Sequence, residues 1–125
     1  MRKVYKNNLS KVSGPYSHGV DSGKYVYLSG QTARNSIDAG AKAKSIAEQT
    51  EECFKLLFDV LKNAGLDSDD VVKVNVYLTS MKYFEEMNEV YKKQFSEPYP
   101  ARTCVAVLEL PLGADVEIEL VAKKS

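Results

Sequence analysis

The sequence predicts a two-layer α+β domain. Three observations carry the prediction. The run from Val71 to Leu78 is rich in branched residues at period two, the stretch from about Ala43 to Ala64 has helical period, and such stretches follow one another in the order strands, helix, strand, helix, strands. No internal repeat or linker divides the 125 residues, so one domain over residues 1–125 is expected. A chain of that length can bury a real core, yet a functional cleft in it can need a neighbouring subunit.

Residues 10–17 read as an irregular opening segment that ends in Gly14-Pro15-Tyr16-Ser17-His18. Pro15 fixes its own φ and biases Gly14 away from helix, so Tyr16 is presented from stiff, extended backbone. A plain surface turn explains the same residues. Lys24 to Ser29 is aromatic and branched, follows the turn signal Ser22-Gly23, and reads as a strand ending at Gly30. Glycine there allows close approach of a ligand or another backbone, and a simple bulge is the alternative. Thr32 to Ala43, polar and without period, is expected to be an exposed loop.

In the helix that follows, Ile46, Cys53, Leu57, Val60, Leu61 and Ala64 recur at three- and four-residue spacing, and Gly65 stops it. Cys53 lies in that stripe and belongs to the core. Asp67-Ser68-Asp69-Asp70 is a turn. The next strand places Val72, Val74, Val76 and Leu78 on one face and Val71, Lys73, Asn75 and Tyr77 on the other, as suits a sheet covered by helices on one side. Ser80 offers an N-cap to a second helix, and Phe84, Met87, Asn88, Tyr91 and Phe95 carry its stripe to about Phe95. Asn88 is the polar member, either a satisfied structural amide or a site residue. Pro98 and Pro100 end that helix. Two strands then flank Leu110-Pro111-Leu112-Gly113, one around Arg102 to Val107 and one from Asp115 to Ala122.

Composition narrows the function. Seventeen basic and seventeen acidic residues give a formal net charge of zero, and no basic stripe stands out, so nucleic acid is not an expected partner. Cys53 and Cys104 have no CxxC partner and no histidine cluster, which argues against a disulfide or zinc site. No apolar run approaches the ~20 residues needed to span a bilayer, and no apolar region follows the basic start. A cytoplasmic chain is expected, with a mitochondrial location left open. GxGxxG, GK[ST], HExxH and EF-hand patterns do not occur, so no cofactor and no metal are expected.

The chemistry concentrates near the end. Arg102 and Cys104 stand two apart on one strand, and Glu117 stands in the next. If those strands pair, a cation and a proton-transferring carboxylate can share one pocket, depending on register. The planar fork of Arg102 can hold a small carboxylate by two parallel hydrogen bonds, or form a salt bridge to Glu117 or Glu119. Glu117 can act as general acid/base if partial burial raises its pKa. His18, the single histidine, is the one available partner for a nucleophile such as Cys104.

Gly14-Pro15-Tyr16-Ser17, Tyr27-Leu28-Ser29-Gly30-Gln31, Gln49-Thr50, Asp70-Val71-Val72-Lys73-Val74, Asn88-Glu89-Val90-Tyr91, Pro100-Ala101-Arg102-Thr103-Cys104-Val105 and Val116-Glu117-Ile118-Glu119 together resemble the RidA/YjgF/UK114 family of reactive-intermediate deaminases. The resemblance implies a chorismate-mutase-like fold with a mixed sheet of about six strands and two helices on one face. It implies a homotrimer with clefts between subunits and hydrolysis of 2-imino acids, or enamines such as 2-aminoacrylate, to 2-keto acids and ammonia without a cofactor. It also implies the roles: Arg102 clamps the carboxylate, Glu117 handles the water and its proton, and Cys104 contributes its backbone carbonyl more than its thiol. Ser29, the Gly30 backbone and Tyr16 line the pocket, and Asn88 closes it across the subunit boundary. Other implied readings are a small-carboxylate-binding regulator without turnover and an endoribonuclease or translation inhibitor. The chain departs from the family at His18-Gly19, at the segment after Gln31, and at Ala106.

Overall fold

A computed structural model describes residues 1–12, 14–33 and 44–125. Among these, the elements run β1 (Lys3–Tyr5), β2 (Gly19–Asp21), β3 (Tyr25–Gln31), α1 (Ile46–Asn63), β4 (Val71–Leu78), α2 (Phe84–Tyr91), β5 (Ala101–Ala106) and β6 (Val116–Lys123). The strands form one sheet in the order β1-β2-β3-β6-β4-β5. Among the described strands only β4 and β5 pair in parallel, across the α2 connection. Both helices bury their apolar stripes against one face of that sheet. This is the two-layer α+β arrangement the sequence predicts.

The first helix begins where its chemistry says it should. Ser45 and Glu48 form a reciprocal capping box, with the Ser45 hydroxyl accepting from the Glu48 N–H at 3.0 Å and the Glu48 carboxylate accepting from the Ser45 N–H at 2.9 Å. Those bonds also hold the Glu48 carboxyl below its usual pKa. The expected earlier start at Ala43 lies outside the described residues. At the other end Gly65 takes φ 76°, its N–H reaching the Lys62 carbonyl at 3.0 Å and the Leu66 N–H reaching Leu61 at 2.8 Å. That 5→2 and 6→1 pair is the left-handed stop glycine allows. Between the caps, Cys53, Leu57 and Val60 are fully buried against Val26, Val74, Val76 and Ile118. Phe54 meets Tyr91 and Phe95 edge-on, each at 5.7 Å between centroids, and so ties α1 to α2 and the segment beyond it.

Four expectations need correction. A bulge between Val71 and Lys73 turns Val71 into the core and leaves Val72 40% exposed, so the predicted alternation of β4 holds only from Val74 onward. Ser80 does accept from the Lys82 N–H, but it opens a short 3-10 turn, and α2 ends at Tyr91. Phe95 is buried without being helical, because it packs on Phe54 and Phe58. Strand β3 continues past Ser29 to Gln31, with its pairing to β6 interrupted between Leu28 and Gln31. Thr32 and Ala33, expected in an exposed loop, are buried, and the rest of that loop, residues 34–43, lies outside the described residues.

Candidate active site

Strand β5 is an edge strand, bonded only to β4, with Arg102 opposite Val74 and Cys104 opposite Val76. Neighbours in a ladder share a face, so Arg102 and Cys104 take the helix-covered side. There α2 supplies three residues one turn apart, Phe84, Asn88 and Tyr91. The guanidinium donates from Nη1 to Asn88 Oδ1 at 2.6 Å and lies 4.6 Å from the Tyr91 ring centroid and 5.4 Å from that of Phe84. Asn88 brings no charge, so it orients the cation without neutralising it. The remaining N–H groups of the fork have no hydrogen-bond acceptor among the described residues. They border a recess of about 400 Å³ formed by Asn88, Tyr91, Lys92, Tyr99, Pro100 and Arg102.

Glu117 sits elsewhere. It lies opposite Tyr77 on the face the helices do not cover, beside a recess of about 330 Å³ whose walls include Tyr16, Ser29, Gly30, Gln31 and Leu112. Gly30 is there for space: a Cβ on it would stand 3.0 Å from Glu117 Cδ and 3.1 Å from Oε2. Both readings of this glycine hold in part: the pairing to β6 shifts register between Leu28 and Gln31, and the close approach is made by a side chain rather than by a ligand or a backbone. The Ser29 N–H bonds the His18 carbonyl at 2.9 Å and its hydroxyl donates to the Ser17 carbonyl at 2.6 Å, so the segment carrying Tyr16 is stitched to β3. Burial pushes the Glu117 carboxyl above its usual pKa, and the charge of Glu119 pushes it further. No cation pairs with it among the described residues.

The two chemical groups therefore do not share a pocket within one chain. Strands β5 and β6 do not pair, since β4 lies between them, and Arg102 and Glu117 project from opposite faces. The expected convergence fails in the single chain because α2 carries β5 past β4 to the far edge. The salt bridge of Arg102 to Glu117 or Glu119 is likewise not formed. What the fold brings together is Arg102 with Asn88 on one side, and Glu117 with Tyr16, Ser29 and Gly30 on the other.

Cys104 is half-buried beside Arg102, and burial raises its thiol pKa despite the opposing pull of the guanidinium. The thiol is thus protonated at neutral pH, and an edge strand offers backbone groups without ladder partners. His18 cannot serve it within the chain: β2 and β5 are four strand steps apart, roughly 4.8 Å each. The His18 ring is buried, with Nδ1 accepting from the Asn7 N–H at 3.1 Å. A larger recess of about 670 Å³ beside Lys82 and Asp115 collects no convergent groups, because Asp115 is taken by the Thr79 hydroxyl at 2.7 Å and Lys82 lies over the Tyr83 ring.

Sequence reasoning missed the ring cage of Arg102, although Phe84 and Tyr91 stood in the predicted helical stripe with Asn88. It also missed Gln31, whose buried Nε2 has no hydrogen-bond partner among the described residues, and Leu112, which takes φ 63° at the mouth of the Glu117 recess. No described helix is long and apolar enough to cross a membrane.

The family profile named Endoribonuclease L-PSP matches residues 6–124. A RutC family protein of Aquifex aeolicus is 39% identical over 99% of this chain and 100% of its own length. Among solved structures, RidA from an Antarctic Psychrobacter is 35% identical with a TM-score of 0.88, the alignment covering 98% of this chain and 100% of that one. E. coli TdcF with bound serine is 32% identical with a TM-score of 0.87, over 98% of this chain and 99% of its own. With full-length agreement in sequence and in fold, the chain belongs to the family of L-PSP, YjgF and RidA proteins.

Proposed function

We propose that this protein hydrolyses small 2-imino acids and their enamine tautomers to 2-keto acids and ammonia, at a site assembled from two copies of the chain. The observation that carries the reading is the division just described. One face presents an oriented guanidinium and the other a half-buried carboxylate of raised pKa, neither of them in an ion pair among the described residues. Each half lacks what the other has. The open face also exposes Val4, Tyr27 and Val105 at 40% or more, apolar surface that a second copy would cover. The family resemblance implies a trimer, and TdcF with bound serine is a relative holding a small amino acid.

In this scheme Arg102 of one copy takes the substrate carboxylate in two parallel hydrogen bonds and fixes C2 in place. Glu117 of the next copy, in its protonated form, delivers a proton to C3 of an enamine to give the imine. As a carboxylate it then accepts a proton from the water that adds to C2, and returns it to nitrogen as ammonia leaves. The C2–N bond breaks as the remaining hydroxyl proton on C2 passes to Glu117 and the C2–O bond becomes the keto group, so the carboxyl ends the cycle protonated, as it began. Ser29, the Gly30 backbone, Tyr16, Asn88 and the Cys104 carbonyl would shape the cleft. An imine hydrolyses unaided in water, so orientation and one proton carrier suffice.

Two inactive variants test the two-copy site. Arg102→Ala and Glu117→Gln proteins, each expected to lose ammonia release in an assay supplied by a threonine or serine dehydratase, should recover it when mixed under conditions of subunit exchange. Recovery requires the intact Arg102 of one copy to meet the intact Glu117 of another, and mixtures that stay inactive after demonstrated exchange would refute it. A binding protein of the same geometry would hold 2-keto acids yet never release ammonia above the buffer rate. The ribonuclease reading draws on the family name and is opposed by the zero net charge.

A further inference from the structure

The strand that carries Glu117 holds a second carboxylate two residues on. Glu119 lies on the same open face and pairs with no cation among the described residues. Its partners are polar and neutral. The Tyr77 hydroxyl donates a short hydrogen bond to Oε1, and Asn75 Nδ2 donates to the same oxygen at 3.4 Å. Asn75 is the residue directly opposite Glu119 and Tyr77 the one directly opposite Glu117, so Tyr77 stands next to one carboxylate and bonds diagonally to the other.

We propose that Glu119 is a positioning residue for Glu117: fixed by Tyr77 and Asn75 as a bare negative charge on the same strand face, it sets the protonation state in which Glu117 meets a substrate. The catalytic consequence rests on the proposed deaminase reading; the effect on the proton does not. Residues two apart on a strand are roughly 7 Å apart, close enough for like charges on a half-buried face to repel. Burial, and then the neighbouring charge of Glu119, raise the Glu117 carboxyl above its usual pKa. Donation to Glu119 pushes the Tyr77 hydroxyl up to about 12, so it stays a donor across the physiological range.

Few other groups compete. The same face carries Tyr25 and Tyr27 on β3, Lys73 on β4 and Lys123 on β6, and Tyr16 borders the recess. Lys73 is turned to β5, with Nζ donating to the Thr103 hydroxyl at 2.8 Å. Asp115, two residues before Glu117, is bonded to Thr79 at 2.7 Å. On the helix side, the Cys53 thiol is kept neutral by burial.

The test is a carbon-13 NMR titration of the Glu117 side-chain carboxyl in the full chain, paired with the pH profile of kcat/KM for imine hydrolysis. Glu119→Gln should lower the Glu117 midpoint by about half a pH unit or more and move the matching limb of the profile with it. Glu119→Asp should keep the midpoint, and Tyr77→Phe should move it in the same direction by less. A Glu119→Gln protein that folds and leaves the midpoint unmoved overturns the inference; if that variant does not fold, an unmoved Tyr77→Phe does the same. An unmoved midpoint alongside a dead Glu117→Gln enzyme leaves the deaminase reading standing. A shifted midpoint in a protein that never releases ammonia removes the reaction and keeps the role of Glu119.

Discussion

The two half-sites differ in how they are held. Arg102 is fixed by packing: an amide at 2.6 Å and two rings from one helix confine its guanidinium. Glu117 lies against a glycine that leaves it room, with its pKa raised by burial and then by the charge of Glu119, on the face the helices do not cover. The contrast teaches a division of labour. A permanent cation needs only geometry to be useful, whereas a carboxylate that must give and take protons needs its pKa set, which desolvation and a like charge accomplish without a tight cage.

The sharpest way to break the comparison is Glu117→Gln. Loss of a general acid/base should reduce kcat by roughly 10²- to 10⁴-fold while the chain stays folded. The same variant tests the raised pKa. The unfolded carboxyl ionises near its ordinary 4.5 and the folded one at higher pH, so wild-type stability falls as pH rises through that window. Denaturant midpoints should therefore favour the variant progressively from mildly acid to neutral pH and coincide below pH 4.5. An unchanged gap across that range would mean Glu117 titrates normally.

On the packed side, Arg102→Ala should lower kcat/KM on the order of 100-fold, mainly through KM, because a charge-assisted clamp of about 3 kcal/mol is lost. Asn88→Ala leaves the cation but frees its orientation, for an expected loss of about 1.5 kcal/mol, roughly tenfold, again in KM. If Asn88→Ala changed kcat alone, the amide would be serving something other than the clamp. Smallest is Cys104→Ala: a thiol held protonated by burial, with only its backbone in use, should cost less than about threefold in kcat/KM. A large loss there would restore the thiol as a chemical participant.

Local pattern was a good guide wherever one element decides the outcome. The stripe of α1, the Gly65 stop, the buried Cys53 and the alternating half of β4 all follow from period and capping chemistry. The alternation on β5 was legible too, and Arg102 and Cys104 do share a face. The bulge that exposes Val72 was hidden because Val71 and Val72 are equally good strand residues, so composition could not say which one turns inward. Strands β1 and β2, three residues each, are too short to show a period.

The amino-acid order by itself determined which side chains travel together: Phe84, Asn88 and Tyr91 on one helical face, Glu117 and Glu119 on one strand face, Arg102 with Cys104. Backbone geometry makes those periods unavoidable. Which strand lies beside which was decided only by the tertiary structure, through pairings between segments distant in the chain whose free energy no local window contains. Seating β6 between β3 and β4, with β5 beyond, separated the cation from the carboxylate, and the registers against β4 put them on opposite faces of the sheet.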